Sequence, residues 1–232
     1  PDLVIVNDPD ADRCAAAIAG PGGWRMLRGD EVGALLGAHT LERGVPAGGR
    51  MANSIVSSRL LAAMCAAAGV LHEETLTGFK WIGRVPDLAF GYEEALGYCV
   101  DSAHVRDKDG VSAALLLSEL AATRKARGSD LQSVLDELAV THGVYATDAF
   151  SIRVTDLARI DELMAHLRAE PPSEVAGVAV ARIDDLAQGV AGLLPTEGLR
   201  YYLADDSRII VRPSGTEPKL KIYLEVIEPV AD

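Results

Sequence analysis

Three carboxylates at alternate positions, Asp8-Pro9-Asp10-Ala11-Asp12-Arg13, follow the short apolar run Leu3-Val4-Ile5-Val6. Acids spaced this way at a strand end can converge their oxygens on one hard divalent cation. Mg²⁺ takes oxygen ligands and leaves positions open for a phosphate. The plain alternative is a solvated turn, since Asp and Pro are common turn residues. An EF-hand also opens with alternating acids, but its glycine position is Arg13 here and its closing glutamate is Ala19, which excludes it. Arg13, beside the acids, can hold a phosphate or orient a carboxylate.

Near the other end, Arg212-Pro213-Ser214-Gly215-Thr216-Glu217-Pro218-Lys219 follows the β-branched run Ile209-Ile210-Val211. Backbone N–H groups at such a turn form an anion nest, and the hydroxyls of Ser214 and Thr216 add donors. Arg212 can grip a phosphate bidentately, and Lys219 adds positive charge or is simply a solvated strand residue. Read structurally, the same segment is a hairpin with Gly215 at its bend. A third candidate is Gly91-Tyr92-Glu93-Glu94-Ala95-Leu96-Gly97, whose adjacent carboxylates can accept hydrogen bonds from sugar hydroxyls, although adjacent acids are often surface charge. Thr77-Gly78-Phe79-Lys80 and Lys108-Asp109-Gly110 read on their own as loops or helix starts. The histidines lack triad or metal-pair spacing; only His104 lies near a candidate loop.

These loops need a scaffold. Residues 3–6 and about 14–19 read as strands flanking the Asp loop. The unbroken apolar character of 3–6 suggests a parallel-sheet strand buried on both faces. Gly20-Pro21-Gly22-Gly23 marks a turn, with a return strand over 24–27. Asp30 reads as the N-cap of a helix to about Leu41. Strand 51–57, helix 59–68 and strand 73–76 follow; 88–90 leads into a loop at Gly91. Helices are expected over 111–125 and 130–142. This alternation predicts a mostly parallel α/β layer. From about Gly143 the pattern changes to strands at 145–154, 175–183, 201–203, 208–211 and 220–226, with one helix over 156–169. That suggests a smaller α+β domain with antiparallel pairing.

The chain has 232 residues, 49% of them hydrophobic, enough for one large domain or two ordinary ones with buried cores. A net charge of −12 without a long basic block argues against nucleic-acid binding. No apolar run approaches a membrane span, so no membrane partner is expected. Three cysteines, Cys14, Cys65 and Cys99, lack Cys-x-x-Cys spacing and suit a reducing cytoplasm. Pro1 is no initiator and the first residues already read as strand; we expect the C-terminal part of a longer protein.

Taken together, the loops resemble one family, the α-D-phosphohexomutases (phosphoglucomutase and phosphomannomutase). Asp8–Arg13 is similar to the family's Asp-x-Asp-x-Asp-Arg magnesium loop, and Thr77–Ile82 to a turn in its third domain. Tyr92–Gly97 resembles its sugar-recognition loop, His104–Gly110 the segment that follows, and Arg212–Pro218 the phosphate loop of its fourth domain. The resemblance runs in order over nearly the whole chain. It implies the end of domain 2 with the metal loop at 1–28, domain 3 with sugar recognition at 29–140, and domain 4 with phosphate binding at 141–232. The fold would be a mixed-sheet α/β domain with the tail of domain 2, plus an α+β domain with a mostly antiparallel sheet. Mg²⁺ would be held by Asp8, Asp10 and Asp12. Glu93, Glu94, Arg212, Ser214, Gly215 and Thr216 would bind substrate, with Arg13, Lys80, His104 and Lys108 in supporting catalytic roles. A sugar 1,6-bisphosphate would be the activator. The family's catalytic phosphoserine sits in a Thr-Ala-Ser-His-Asn-Pro-like loop that this sequence lacks. The nucleophile would therefore lie in an N-terminal half outside this chain, which alone would be inactive. Ala95 stands where the sugar loop usually has Ser, a form seen in phosphopentomutase-like members. A catalytically silent sugar-phosphate-binding fragment and a metal-dependent phosphatase are the competing readings.

Overall fold

The computed structural model describes residues 1–190, 192–215 and 217–230. It divides into two compact units, residues 1–143 with the segment from Pro229, and residues 144–228.

The first unit opens with β1 (Leu3–Asn7), β2 (Cys14–Gly20) and β3 (Gly23–Met26), an antiparallel sheet in that order. Asn7 pairs with Cys14, so residues 8–13 are the connection of the β1–β2 hairpin. The expectation of a strand buried on both faces is corrected here. β1 alternates: Leu3 and Ile5 pack on the core, while Val4 and Val6 point outward, Val6 at 56% exposure. An antiparallel sheet needs only one covered face, and a run of Leu, Val and Ile hides that alternation from the sequence.

An α/β layer follows: α1 (Gly29–Arg43), β4 (Arg50–Ser54), α2 (Leu60–Ala68), β5 (Leu71–Thr75), α3 (Phe79–Ile82), β6 (Leu88–Glu93), β7 (Gly97–Cys99), α4 (Gly110–Ala126) and α5 (Leu131–His142). The sheet order is β5-β4-β6-β7, with β4 parallel to both β5 and β6, and β7 antiparallel to β6. Met51, Phe90, Tyr92 and Tyr98 of the sheet pack against Leu35 and Leu36 of α1 and Leu117 and Leu120 of α4. Cys14, Ala16 and Ile18 of β2 belong to the same core, so the hairpin and the layer share one interior.

Two local expectations change. Asp30 is not the cap of α1. It lies inside the helix, buried, and accepts the Ser58 N–H at 2.7 Å and the Tyr92 hydroxyl at 3.0 Å. The helix start is instead held by Glu31, which accepts the Arg28 N–H at 2.7 Å. Gly91 is not a loop but the middle of β6, where a Cβ would come 2.3 Å from Ile82 Cγ2; glycine is used for close packing, not for a bend.

The second unit contains β8 (Val144–Arg153), α6 (Ala158–Ala169), β9 (Glu174–Val175), β10 (Val178–Asp185), β11 (Leu199–Leu203), β12 (Arg208–Pro213) and β13 (Lys219–Glu228). The sheet order is β8-β13-β12-β11-β10-β9, antiparallel throughout. Ile160 and Met164 of α6 cover Leu199, Tyr201, Val211, Leu220 and Ile222. The 175–183 strand of the sequence reading is split at Ala176-Gly177, both at positive φ, into β9 and β10. Arg208 and Glu225 form a buried ion pair at 3.2 Å across β12 and β13. Among the described residues, no helix is long and apolar enough to cross a membrane.

Candidate active site

The β1–β2 connection brings ligand oxygens of Asp8, Asp10 and Asp12 to within 4.8 Å of one another. Ala11 takes a left-handed backbone (φ 57°), and its N–H is bound by the Asp8 carbonyl at 2.9 Å, folding the loop so that alternate acids turn to one side. The Arg13 N–H donates to Asp8 Oδ1 at 3.0 Å. Partial burial alone would raise the Asp8 carboxyl, but this amide and the nearby Arg13 charge outweigh it and hold the group below its ordinary value. Asp8 is therefore ionised at neutral pH. A cluster of carboxylate oxygens is the donor set a hard cation takes, so these residues fit Mg²⁺.

The same loop is tied to the sugar-loop candidate. Arg13 Nη1 donates to the Ala95 carbonyl at 3.1 Å, Cys14 N–H donates to the Leu96 carbonyl at 3.1 Å, and residues 13 and 97 form an isolated antiparallel bridge. Lys108 donates to Asp12 and lies 3.7 Å from Asp107. Desolvation would lower the Lys108 ammonium, yet its hydrogen bond to Asp12 and the Asp107 charge raise it. The segment is anchored from the other side as well: Gly110 N–H donates to the Ala11 carbonyl at 3.1 Å, and a Cβ at Gly110 would strike the Arg13 carbonyl at 2.3 Å.

Glu93 ends β6 and Glu94 opens its connection to β7, in different surroundings. Glu93 Oε1 accepts the Gly78 N–H at 2.6 Å, which couples it to the start of α3. Glu94 turns to the end of β4, with Ser54 and Ser57 hydroxyls each 3.3 Å from Oε2. Burial above all, and then the Asp30 and Glu93 charges, push Glu94 up to about 7. Lys80 is exposed on α3 with its ammonium 5.3 Å from the Trp81 ring centre. His104 is exposed too, its Nδ1 2.8 Å from Asp101 Oδ2. Neither makes a hydrogen bond to the Asp loop among the contacts of the described residues. Cys14, Cys65 and Cys99 are free and buried, with thiols pushed up to about 11 by burial, so none is a ready nucleophile. Ser54, Ser57 and Asp30 carry no sequence motif. Only the burial of a polar cluster at the C-terminal ends of β4 and β6 marks them.

In the second unit, Arg212, Ser214 and Gly215 lie at the end of β12 and in its connection to β13, closed by the Ser214 N–H on the Lys219 carbonyl at 2.9 Å. Gly215 stands in open space; Thr216 lies outside the described residues. Arg212 is in register with Lys221 on β13, which places two cations side by side. Glu217 sits against Lys219 at 2.7 Å and Arg153 at 3.3 Å, and the Lys219 hydrogen bond holds its carboxyl below the usual range.

Two family descriptions match in succession: phosphoglucomutase/phosphomannomutase alpha/beta/alpha domain III over residues 28–140, and the phosphoglucomutase/phosphomannomutase C-terminal domain over residues 151–230. The chain belongs to the α-D-phosphohexomutase family and represents its C-terminal part. It is 44% identical over 225 residues to the Haemophilus influenzae "Probable phosphomannomutase", covering 97% of this chain and 46% of that protein. It is 35% identical over 260 residues to human phosphopentomutase, covering 98% and 42%. The open form of the Paramecium phosphoprotein parafusin, a phosphoglucomutase, superposes with a TM-score of 0.74 at 26% identity, over 98% of this chain and 41% of that one. The chain thus spans less than half the length of these relatives.

Proposed function

We propose that this chain is the metal-binding, sugar-recognising and phosphate-anchoring part of a phosphohexomutase that interconverts a sugar 1-phosphate and 6-phosphate. The observation that carries this reading is the tie between the Asp8–Asp12 cluster and the Glu93–Gly97 segment through Arg13, whose N–H donates to Asp8 and whose guanidinium donates to the Ala95 carbonyl, and through the bridge between residues 13 and 97. It sets a cluster of carboxylates suited to a cation beside the segment read as hydroxyl-binding. Asp8, Asp10 and Asp12 would hold Mg²⁺, which when bound supplies charge neutralisation at a transferring phosphoryl group. Glu93 accepts hydrogen bonds from sugar hydroxyls. Arg212, with Ser214, Gly215 and Thr216, anchors the phosphate that is not reacting. Arg13 holds the acids in place, Lys108 offsets the charge gathered there and gives up Asp12 to the cation, and Lys80 and His104 would support substrate binding.

The nucleophile is a phosphoserine in the part of the relatives' length outside this chain. The serine O–P bond breaks as a sugar hydroxyl oxygen bonds phosphorus, and the hydroxyl proton passes to the serine oxygen. The resulting bisphosphate turns around and returns its other phosphoryl group. A sugar 1,6-bisphosphate therefore primes the cycle. Such chemistry rests on positioning and electrostatics. That outside segment is also the natural cover for the outward side chains of β1 and β3. Buried free thiols suit a reducing compartment, the cytoplasm.

A phosphopentomutase is the second reading, favoured by the 35% identity to the human enzyme of that name and by Ala95 in the sugar loop. Calorimetry of the chain with glucose 1-phosphate, mannose 1-phosphate and ribose 1-phosphate separates the two. Binding of a hexose phosphate in preference to the pentose phosphate is expected. Preference for ribose 1-phosphate would move the assignment, and binding of none would defeat both.

A further inference from the structure

The chain carries a net charge of −12, yet one face of the second unit's sheet gathers cations at the end where β8 and β12 stop and β13 starts. Lys219 and Lys221 stand two residues apart on β13, so both side chains leave the same face. Arg153 on β8 is directly opposite Lys219, and Arg212 on β12 is directly opposite Lys221. Like charges directly opposite each other destabilise a sheet. Two such pairs side by side call for an anion.

Glu217 supplies one. Its Oε1 lies 2.7 Å from Lys219 Nζ and its Oε2 lies 3.3 Å from Arg153 Nη2, so a single carboxylate spans the cross-strand pair with one oxygen on each cation. The Lys219 hydrogen bond first, then the Arg153 and Lys221 charges, hold this carboxyl below its usual range. The backbone that presents it is fixed. The Lys219 N–H donates to the Glu217 carbonyl at 2.8 Å, and the Ser214 N–H donates to the Lys219 carbonyl at 2.9 Å. The ion pairing itself is loose: Arg153 is 75% and Glu217 43% exposed, surroundings in which such a pair contributes little. Two oxygens shared between an ammonium and a guanidinium are also what a phosphate presents to these groups, with more charge and a further oxygen to offer.

We propose that Glu217 is the built-in counter-ion of the phosphate anchor: it holds Lys219 and Arg153 until a sugar phosphate arrives, gives both cations up to it, and takes them back when the phosphate leaves. The inference rests on the phosphosugar reading above. It adds Lys219 and Arg153 to the groups that anchor the non-reacting phosphate, and it gives release a partner. The bisphosphate has to turn round once in each cycle, so the anchor must let go as readily as it grips. No bond is made or broken in the exchange; one anion replaces another.

The test is calorimetric titration of the full chain with glucose 1-phosphate, for wild type, Glu217→Gln and Glu174→Gln. Glutamine at 217 keeps the size and removes the competing charge. Glu217→Gln should bind about two- to fivefold more tightly than wild type, because an exposed ion pair no longer has to be broken. Glu174 is an exposed acid on β9, at the far edge of the same sheet, and its substitution should leave the affinity unchanged. Equal affinity of wild type and Glu217→Gln would overturn the inference. Weaker binding would show that Glu217 builds the loop, which overturns it as well, and matching gains in both variants would assign the effect to net charge alone and do the same. A carbon-13 titration of the Glu217 carboxyl, without and with saturating glucose 1-phosphate, reads the exchange directly. Its midpoint, below the ordinary 4.5 without ligand, should move up when the phosphate takes the cations; a midpoint that the ligand leaves in place would refute the exchange. If neither wild type nor Glu217→Gln binds glucose 1-phosphate, the phosphosugar reading falls and takes this inference with it, whereas equal binding by the two defeats the inference alone.

Discussion

Lys108 reaches Asp12 across Gly97: a Cβ at residue 97 would stand 2.5 Å from Lys108 Cδ, in the path of the lysine stem. The glycine that opens β7 thus sets the position of the cation that reaches the metal loop. Gly97→Ala should displace Lys108 and free Asp12. Because the pair is partly exposed, its own worth is small, within about 1 kcal/mol. Lys108→Gln, which removes a cation competing for Asp12, should tighten Mn²⁺ binding by about two- to fivefold on the same scale. Metal titration followed by electron paramagnetic resonance checks this; weaker binding in the variant would show that Lys108 builds the site instead of guarding it.

Removal of a ligand should act in the opposite direction. Asp10→Asn replaces one carboxylate of the cluster by an amide and should cost about 1.5–3 kcal/mol of divalent-cation binding, the range for a charged contact. Calorimetric Mg²⁺ titration of both proteins is the measurement, and equal affinities would exclude Asp10 as a ligand.

Arg212→Ala should weaken glucose 1-phosphate binding by a similar ~1.5–3 kcal/mol, while binding of unphosphorylated glucose stays poor in both proteins. If the variant matched wild type, the phosphate would have to be anchored elsewhere.

Glu94 makes stability depend on pH. It holds its proton more tightly in the folded chain than in the unfolded one, so its contribution is complete below the ordinary value of 4.5 and is lost as pH rises through about 7. Urea midpoints of wild type should fall across that window relative to Glu94→Gln. Parallel midpoints for the two would contradict the raised value.

The outward face of the first sheet carries Val4, Val6, Trp24 and Met26, with Val6 56% and Met26 60% exposed. Their partners Ala15, Ala17 and Ala19 on β2 leave this face flat and apolar. The purified chain should self-associate at micromolar concentration, and Val6→Lys with Met26→Lys should suppress it. Light scattering that finds wild type monomeric throughout would refute this.

Much of the scaffold could be read from local chemistry. The strands around the Asp loop, the Gly-Pro-Gly-Gly turn, and helices capped by Asp109 and Asp130 follow from residues acting on near neighbours. The missed features depend on partners far away in sequence. Asp30 resembles a cap, but Ser58 and Tyr92 draw it inside. Gly91 resembles a bend, but Ile82 fills the space its missing side chain leaves. The acids of the metal loop announce themselves by spacing. The serines that hold Glu94 do not, because Ser54 and Ser57 have meaning only once β4 and β6 lie side by side.

The shared interior of hairpin and α/β layer has a consequence for anyone redesigning the chemistry. Residues 8–13 are stitched to 95–97 and to 108–110 by the Gly110 N–H on the Ala11 carbonyl, by the bridge between residues 13 and 97, and by the Arg13 and Lys108 side chains. Grafting the acidic hexapeptide alone onto another hairpin would carry the ligands without their frame. The smallest transferable module is the hairpin together with the 93–110 stretch, two pieces remote in the gene that must be exchanged as one.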